Sequence, residues 1–242
     1  MAKAAAKSTR RSAKSGTRPK TKRPGSATET AARKAVIATA LEMSRSGLSP
    51  GRSGNVSQRY GDGMLITPSG MPYELLKPSD IVFVGSDGGV AAAQRKPSSE
   101  WRFHLSAYQA RPDGLAIVHT HSLHATVIAC TGQPIPAFHY MVAIAGGKDI
   151  PCVPYATFGT DELADLVAGG LLERNACLMA NHGQITIAAD LPGALELAQE
   201  VEIIAEQYAK LLAITSKPPL LPDAEMAHVL ERFKAYGQKA QI

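Results

Sequence analysis

The sequence predicts a single α/β domain preceded by a basic tail. Three observations lead there. Helix-like and strand-like apolar patterns alternate from about Glu29 to the C-terminus, no linker-like stretch separates them, and the unusual composition is confined to residues 1–28. With 242 residues, 45% of them hydrophobic, the chain can bury one sizeable core.

The elements follow in order. Ala31 to Ser46 reads as a helix with Val36, Ala40 and Met43 on one face, stopping at Gly47. Arg52 to Asn55 forms a small, polar, glycine-bearing turn. Met64-Leu65-Ile66 is a short strand running into a second turn, Thr67-Pro68-Ser69-Gly70. Ile81 to Val84 is a buried strand, closed by Gly85 and a hairpin signal at Asp87-Gly88-Gly89. Pro97-Ser98-Ser99 starts a helix carrying Glu100 in its first turn. Leu115 to Val118 is a strand and Leu123 to Cys130 an apolar helix, after which a proline-punctuated segment holds His139 and Tyr140. Ala176 to Met179 and Gln184 to Ala188 are strands flanking His182. Leu191 to Ile214 is a long helix, because Leu195, Ala198, Val201, Ala205, Tyr208 and Leu212 recur at helical spacing. A last helix, Ala224 to Lys234, leads to Tyr236.

The net charge of +5 is a property of the tail. Residues 1–28 carry nine Lys or Arg and no acid, leaving 17 basic against 21 acidic residues in the body, which is therefore mildly acidic. A nucleic-acid groove in the folded part is not indicated, although the tail has the charge for nonspecific polyanion contacts or for a targeting role. Its lack of large apolar residues after Met1 predicts disorder. Cys130, Cys152 and Cys177 are too few, and odd in number, for a disulfide framework, which suggests a reducing, cytoplasmic setting. No apolar stretch approaches the length of a membrane span.

The chemistry-bearing signal is His119-Thr120-His121 at the end of an apolar strand. Residues i and i+2 of a strand project to one face, so two imidazoles can meet one ion. His182, at the end of a second apolar run, would complete a three-histidine face with a position left for a carboxylate or a substrate oxygen. Proteins hold Zn²⁺ for Lewis-acid work in that way. Taken alone, the pair is equally well explained as hydrogen-bonded histidine at a strand end. The turns Ser53-Gly54-Asn55, Thr67-Pro68-Ser69-Gly70 and Ser98-Ser99 offer hydroxyls and unhindered N–H groups that suit a phosphate, though each alone reads as a plain turn. Glu100 alone reads equally as a helix-start acid. His104, His124, His139 and His228 are expected in core or supporting roles.

Together with Ser98 to His104, Pro136 to Met141 and Ile150 to Thr160, these segments resemble the class II aldolase and adducin family from about Ala31 to Tyr236. The resemblance implies a three-layer αβα domain, residues 29–242, around a mainly antiparallel sheet, assembled as a homotetramer with active sites at subunit interfaces. It implies Zn²⁺ on His119, His121 and His182, with Glu100 as fourth ligand and acid/base. Phosphate is implied among Gly54, Asn55, Ser69, Gly70, Ser98 and Ser99, Tyr140 reaching into a neighbour's site, and Phe158 and Tyr236 shaping the aldehyde pocket. The implied reaction is reversible cleavage of a deoxyketose 1-phosphate, such as L-fuculose 1-phosphate, to dihydroxyacetone phosphate and an aldehyde such as L-lactaldehyde.

The chain departs from the family pattern where Arg52 and Ser53 stand for Thr and Ala, Thr120 for an Asn, and Asn181 for a His. Other readings on the same scaffold are a pentulose-phosphate 4-epimerase, a sugar-phosphate dehydratase or decarboxylase, and a nonenzymatic adducin-like module.

Overall fold

The structure, a computed structural model, describes residues 26–234. Most of the tail and Tyr236 lie outside the described residues. Helix α1 (Ser26–Arg45) begins five residues before its predicted start. Glu29 in its first turn pairs with Arg33 at 2.6 Å, and the Arg33 guanidinium also donates to the Pro78 carbonyl at 3.2 Å, which docks that turn against the body.

Seven strands form one sheet: β1 (Asn55–Tyr60), β2 (Gly63–Ile66), β3 (Val82–Gly85), β4 (Ala116–Thr120), β5 (Cys152–Val153), β6 (Ala176–Met179) and β7 (Gly183–Ala188). Their spatial order is β3-β2-β1-β4-β7-β6-β5. The sheet is mixed, since β5 runs parallel to β6 while the other pairings are antiparallel. Strand β1 is absent from the sequence reading because Asn55-Val56-Ser57-Gln58-Arg59-Tyr60 has little apolar content. Its partners β2 and β4 supply the order. The hairpin signal after β3 is not used as a hairpin: Asp87-Gly88-Gly89 makes a turn, with Gly88 N–H on the Gly85 carbonyl, but β3 pairs back with β2.

Helices α2 (Trp101–Ala110) and α4 (Asp161–Leu171) cover one face. Phe103, Ala107, Leu163 and Val167 pack there against Met64, Ile66, Ile117, Met179 and Ile185. On the other face lie α1, α3 (Leu123–Ala129), α5 (Leu191–Ile214) and α6 (Asp223–Lys234). Val36, Ala40, Leu195 and Ala198 meet Val56, Leu65 and Val118, while Ile128, Val201, Met226 and Val229 enclose Ala176 and Leu178. The period-2 alternation of β4 and β6 assigns neighbouring residues to opposite cores, which is why both strands read as continuous apolar runs. The result is the three-layer αβα arrangement.

This architecture places the site. Ile117 belongs to the α2/α4 core and Val118 to the opposite one, so His119 shares Ile117's face and sets its ring 5.2 Å from that of Phe103. Asn55 pairs with His119 across the β1/β4 ladder and Ile185 pairs with it from β7. The start of α2 and the β6/β7 hairpin tip close over the same end of the sheet.

Candidate active site

Four side chains converge there. One donor atom from each of Glu100, His119, His121 and His182 lies within 4.8 Å of the others. His119 Nε2 and His121 Nε2 are 3.0 Å apart, His182 Nε2 is 2.8 Å from Glu100 Oε1, and His119 Nε2 is 3.2 Å from Glu100 Oε2. The His119 Nδ1–H donates to the Gln184 carbonyl at 2.8 Å, which fixes the tautomer that turns the Nε2 lone pair inward. Lone pairs of several imidazoles facing one carboxylate at these spacings fit a single divalent cation. Glu100 is the N-cap of α2, but its side chain makes no cap hydrogen bond and turns to the imidazoles instead. Burial pushes its carboxyl upward, yet the facing His119 and His182 outweigh that and hold it well below the usual carboxylate range.

Each ligand-bearing segment has a local reason for its shape. Ala180-Asn181-His182 forms the loop between β6 and β7, where Asn181 adopts the left-handed conformation (φ 55°) that asparagine tolerates. Gly183 is required because a Cβ there would lie 2.4 Å from the Thr120 carbonyl oxygen. Gly54 is required on the opposite side, where a Cβ would lie 2.7 Å from the His119 carbonyl oxygen. Burial raises the Tyr73 phenol to about 12, so it remains a donor, and its hydroxyl hydrogen-bonds the Gly54 carbonyl.

Beside the cluster opens a pocket of about 400 Å³. Gly54, Asn55, Ser69, Gly70, Ser98, Ser99 and Phe158 line it together with Glu100, His121 and His182, so the structure brings these sequence-predicted residues together. Arg52, Tyr73, Tyr155 and Asn181 also line it and were not assigned to a site from sequence. Arg52 is the one Lys or Arg lining it among the described residues and reaches the Gly70 carbonyl at 3.4 Å, whereas Phe158 and Tyr155 are exposed at the mouth. Tyr140 does not line the pocket of its own chain. It is half exposed at the start of a 3-10 turn, Tyr140–Ala145, with its ring 4.7 Å from that of His139. Asn55 is buried, and its amide is committed to Glu100 Oε2 at 2.7 Å. His124 binds Glu202 at 2.9 Å, and the Glu202 carboxylate also accepts the His124 and Ala125 N–H groups at the start of α3, a structural role as expected.

A family model described as Class II Aldolase and Adducin N-terminal domain matches residues 34–209. The chain belongs to the class II aldolase and adducin family. It is 54% identical over 206 residues to an L-fuculose phosphate aldolase of Escherichia coli O6:H1, covering 85% of this chain and 95% of that protein. It is 51% identical over 219 residues to a 5-methylthioribulose-1-phosphate/5-deoxyribulose-1-phosphate aldolase of Rhodospirillum rubrum, covering 90% and 97%. Among solved structures it superposes on an L-fuculose 1-phosphate aldolase with a TM-score of 0.82 at 40% identity, covering 88% of this chain and 98% of that one. The chain is thus a lyase of the class II aldolase type, and its Glu100/His119/His121/His182 group can hold the metal on which this class of aldolase depends.

Two histidines at the site, His104 behind it and His121 in it, carry a pH signature. Burial, with the charge of His119 second, lowers both His104 and His121 to about 3 from an ordinary 6.5. Between those values the unfolded chain binds protons that the folded chain refuses, so the metal-free protein is expected to lose stability as pH falls through that window. Urea unfolding midpoints at about pH 7 and about pH 5 check this; a midpoint unchanged or higher at the lower pH contradicts it.

Proposed function

We propose that this protein is a zinc-dependent aldolase that cleaves a deoxyketose 1-phosphate to dihydroxyacetone phosphate and a short aldehyde. The carrying observation is the adjacency of two environments in one pocket: a Glu/His₃ donor set, and a hydroxyl- and glycine-rich wall containing Arg52. Zinc suits three imidazoles and a carboxylate. Ser69, Gly70, Ser98, Ser99 and the Gly54 backbone would hold the phosphate, with Arg52 supplying the fixed positive charge.

In the cleavage direction the C4 hydroxyl loses its proton, the C3–C4 bond breaks, and its electron pair delocalises toward the C2 carbonyl while C4 becomes the aldehyde. Zinc, when bound, supplies the Lewis acidity that stabilises the negative charge developing at the carbonyl oxygen. Glu100, a carboxylate at rest, would first take up a proton from water and then deliver it to C3, returning to the carboxylate. Tyr140 of a neighbouring subunit would relay the proton of the C4 oxygen, passing its own to water as it takes that one, a role supported by its exposed position away from its own pocket. This requires the site to be completed between subunits, in the tetramer that the family resemblance implies. The catalytic body is assigned to residues 29–242, with Tyr236 contributing to the aldehyde pocket beside Phe158.

The relatives divide over the aldehyde. L-Fuculose 1-phosphate would yield the hydroxylated three-carbon lactaldehyde, whereas the five-carbon substrates named for the Rhodospirillum rubrum relative would yield a two-carbon aldehyde, bare or methylthio-substituted, with no hydroxyl. The exposed aromatic rings of Tyr155 and Phe158 at the mouth favour the less polar tail as a second reading.

The test is a comparison of L-fuculose 1-phosphate, 5-deoxyribulose 1-phosphate and 5-methylthioribulose 1-phosphate, with dihydroxyacetone phosphate as readout. An inverted sugar without released aldehyde would make the protein an epimerase instead. Tyr140→Phe should then lower cleavage at least about tenfold, keep normal zinc content, and spare proton exchange at the carbon beside the carbonyl of dihydroxyacetone phosphate. Equal loss of exchange and cleavage would remove Tyr140 from aldehyde chemistry.

A further inference from the structure

Behind Glu100 runs a line of polar groups that the sequence reading did not connect. Asn55 Nδ2 donates to Glu100 Oε2 at 2.7 Å, and Asn55 Oδ1 is 2.5 Å from His104 Nε2. His104 Nδ1 is 2.7 Å from Ser57 Oγ, which is 2.9 Å from the Tyr108 hydroxyl. All of these side chains are buried, and Asn55 and Ser57 share one face of β1 because they are two residues apart in a strand. His104 and Tyr108 share one face of α2 at helical spacing four.

The direction of every bond in this line is fixed from one end. A carboxylate only accepts, so Asn55 must present its NH₂ to Glu100 and its oxygen to His104. That oxygen also only accepts, so His104 must carry its proton on Nε2. The ring is fully buried with no carboxylate in hydrogen-bonding contact, and burial with the charge of His119 lowers it to about 3. It is neutral, and Nδ1 accepts from Ser57, whose oxygen in turn accepts from Tyr108. Tyr108 is buried, and burial pushes its phenol up, so the line ends there. It is a dead end for protons and a continuous constraint on orientation.

We propose that Tyr108, Ser57, His104 and Asn55 act as a positioning chain that holds Glu100 by Oε2, so that Oε1, the oxygen facing His182, is the one that carries the proton to and from substrate. Asn55, which also lines the pocket, commits its side-chain amide to the carboxylate. Loss of the chain lets the carboxyl rotate, which lowers turnover and metal retention without touching the phosphate wall. The proton-transfer half of this proposal rests on the aldolase reading above; the geometric half does not.

The experiment compares wild type with His104→Leu, His104→Gln and Ser57→Ala. His104→Leu should lower kcat and zinc affinity, measured by chelator competition, by about tenfold or more, the usual effect of losing such a supporting partner. KM and competitive inhibition by inorganic phosphate should stay within about twofold. His104→Gln keeps an N–H donor toward Asn55 and should recover most of the loss, and Ser57→Ala should give a smaller fall in kcat, about threefold. Nitrogen-detected NMR of metal-free wild type should find His104 neutral and protonated on Nε2. The proposal is overturned by unchanged kcat and zinc affinity in His104→Leu, by equal loss in the Leu and Gln variants, by a loss confined to KM and phosphate inhibition, or by an Nδ1–H tautomer. Should His104→Leu not fold, Ser57→Ala and the tautomer decide the matter. Wild type that releases no dihydroxyacetone phosphate from any ketose 1-phosphate would instead defeat the aldolase reading, leaving the zinc-affinity and tautomer outcomes to judge the positioning chain.

Discussion

His182→Ala is expected to give a folded protein that retains little zinc and cleaves substrate near the background rate. An open site with three imidazoles and one carboxylate has no spare protein donor, so removing a direct ligand should weaken zinc binding by more than the roughly 10–100-fold that loss of an outer partner costs. His182 is the cleanest of the three for this purpose. It sits in the loop between β6 and β7 and lines the pocket, so its truncation opens toward the pocket rather than leaving a closed void. His119→Ala should remove zinc equally but also strand the Gln184 carbonyl and a space beside Phe103, adding a stability cost of about 1–3 kcal/mol. Zinc content by atomic spectroscopy, turnover, and thermal unfolding together separate these effects. Full turnover with one zinc per chain in His182→Ala would remove that residue from the centre.

Glu100→Gln is expected to lower turnover by roughly 10²-fold or more while the fold persists. The amide matches the carboxylate in shape, and its oxygen can still accept from Asn55 Nδ2 where Glu100 Oε2 now does at 2.7 Å. What it cannot do is exchange a proton with a carbon at neutral pH. Proton exchange into dihydroxyacetone phosphate should therefore fall together with cleavage, in contrast to Tyr140→Phe, and zinc binding should weaken without vanishing because three imidazoles remain. Unchanged turnover would return Glu100 to the role of a helix-start acid, although the structure shows no capping bond from its side chain.

The two histidine strands were legible because their signal is local. An apolar run followed by His-x-His needs only the period-2 geometry of a strand to put two imidazoles on one face, and β4 indeed extends through Thr120. The long helix α5 was equally legible, since its apolar residues recur at helical spacing over the whole of Leu191–Ile214. Helix α4 was not. Gly169-Gly170 near its end reads as a breaker, yet Gly170 is where the helix approaches the sheet, and a Cβ there would lie 2.6 Å from Val153 Cγ1. Its glycine answers to a neighbour distant in sequence, which no window of sequence contains.

The same division runs through the site. Residue type and spacing by themselves pointed to the α/β class, the three candidate histidines and the hydroxyl- and glycine-rich turns, because a strand's pleat and a turn's backbone are fixed within a few residues, whereas Glu100 as a fourth ligand came only from the family resemblance. Only the tertiary structure decided what Asn55, His104 and Arg52 do. Asn55 and Glu100 are 45 positions apart, and whether an amide faces a phosphate or a carboxylate depends on the β1/β4 register that sets Asn55 opposite His119. Arg52 is an ordinary turn residue until the turns around Ser69 and Ser98 fold in beside it and make it the cation of the pocket lining. Hydrogen bonds and charge pairings reach only a few ångströms, so their partners are named by the packing of elements that the local chain cannot foresee.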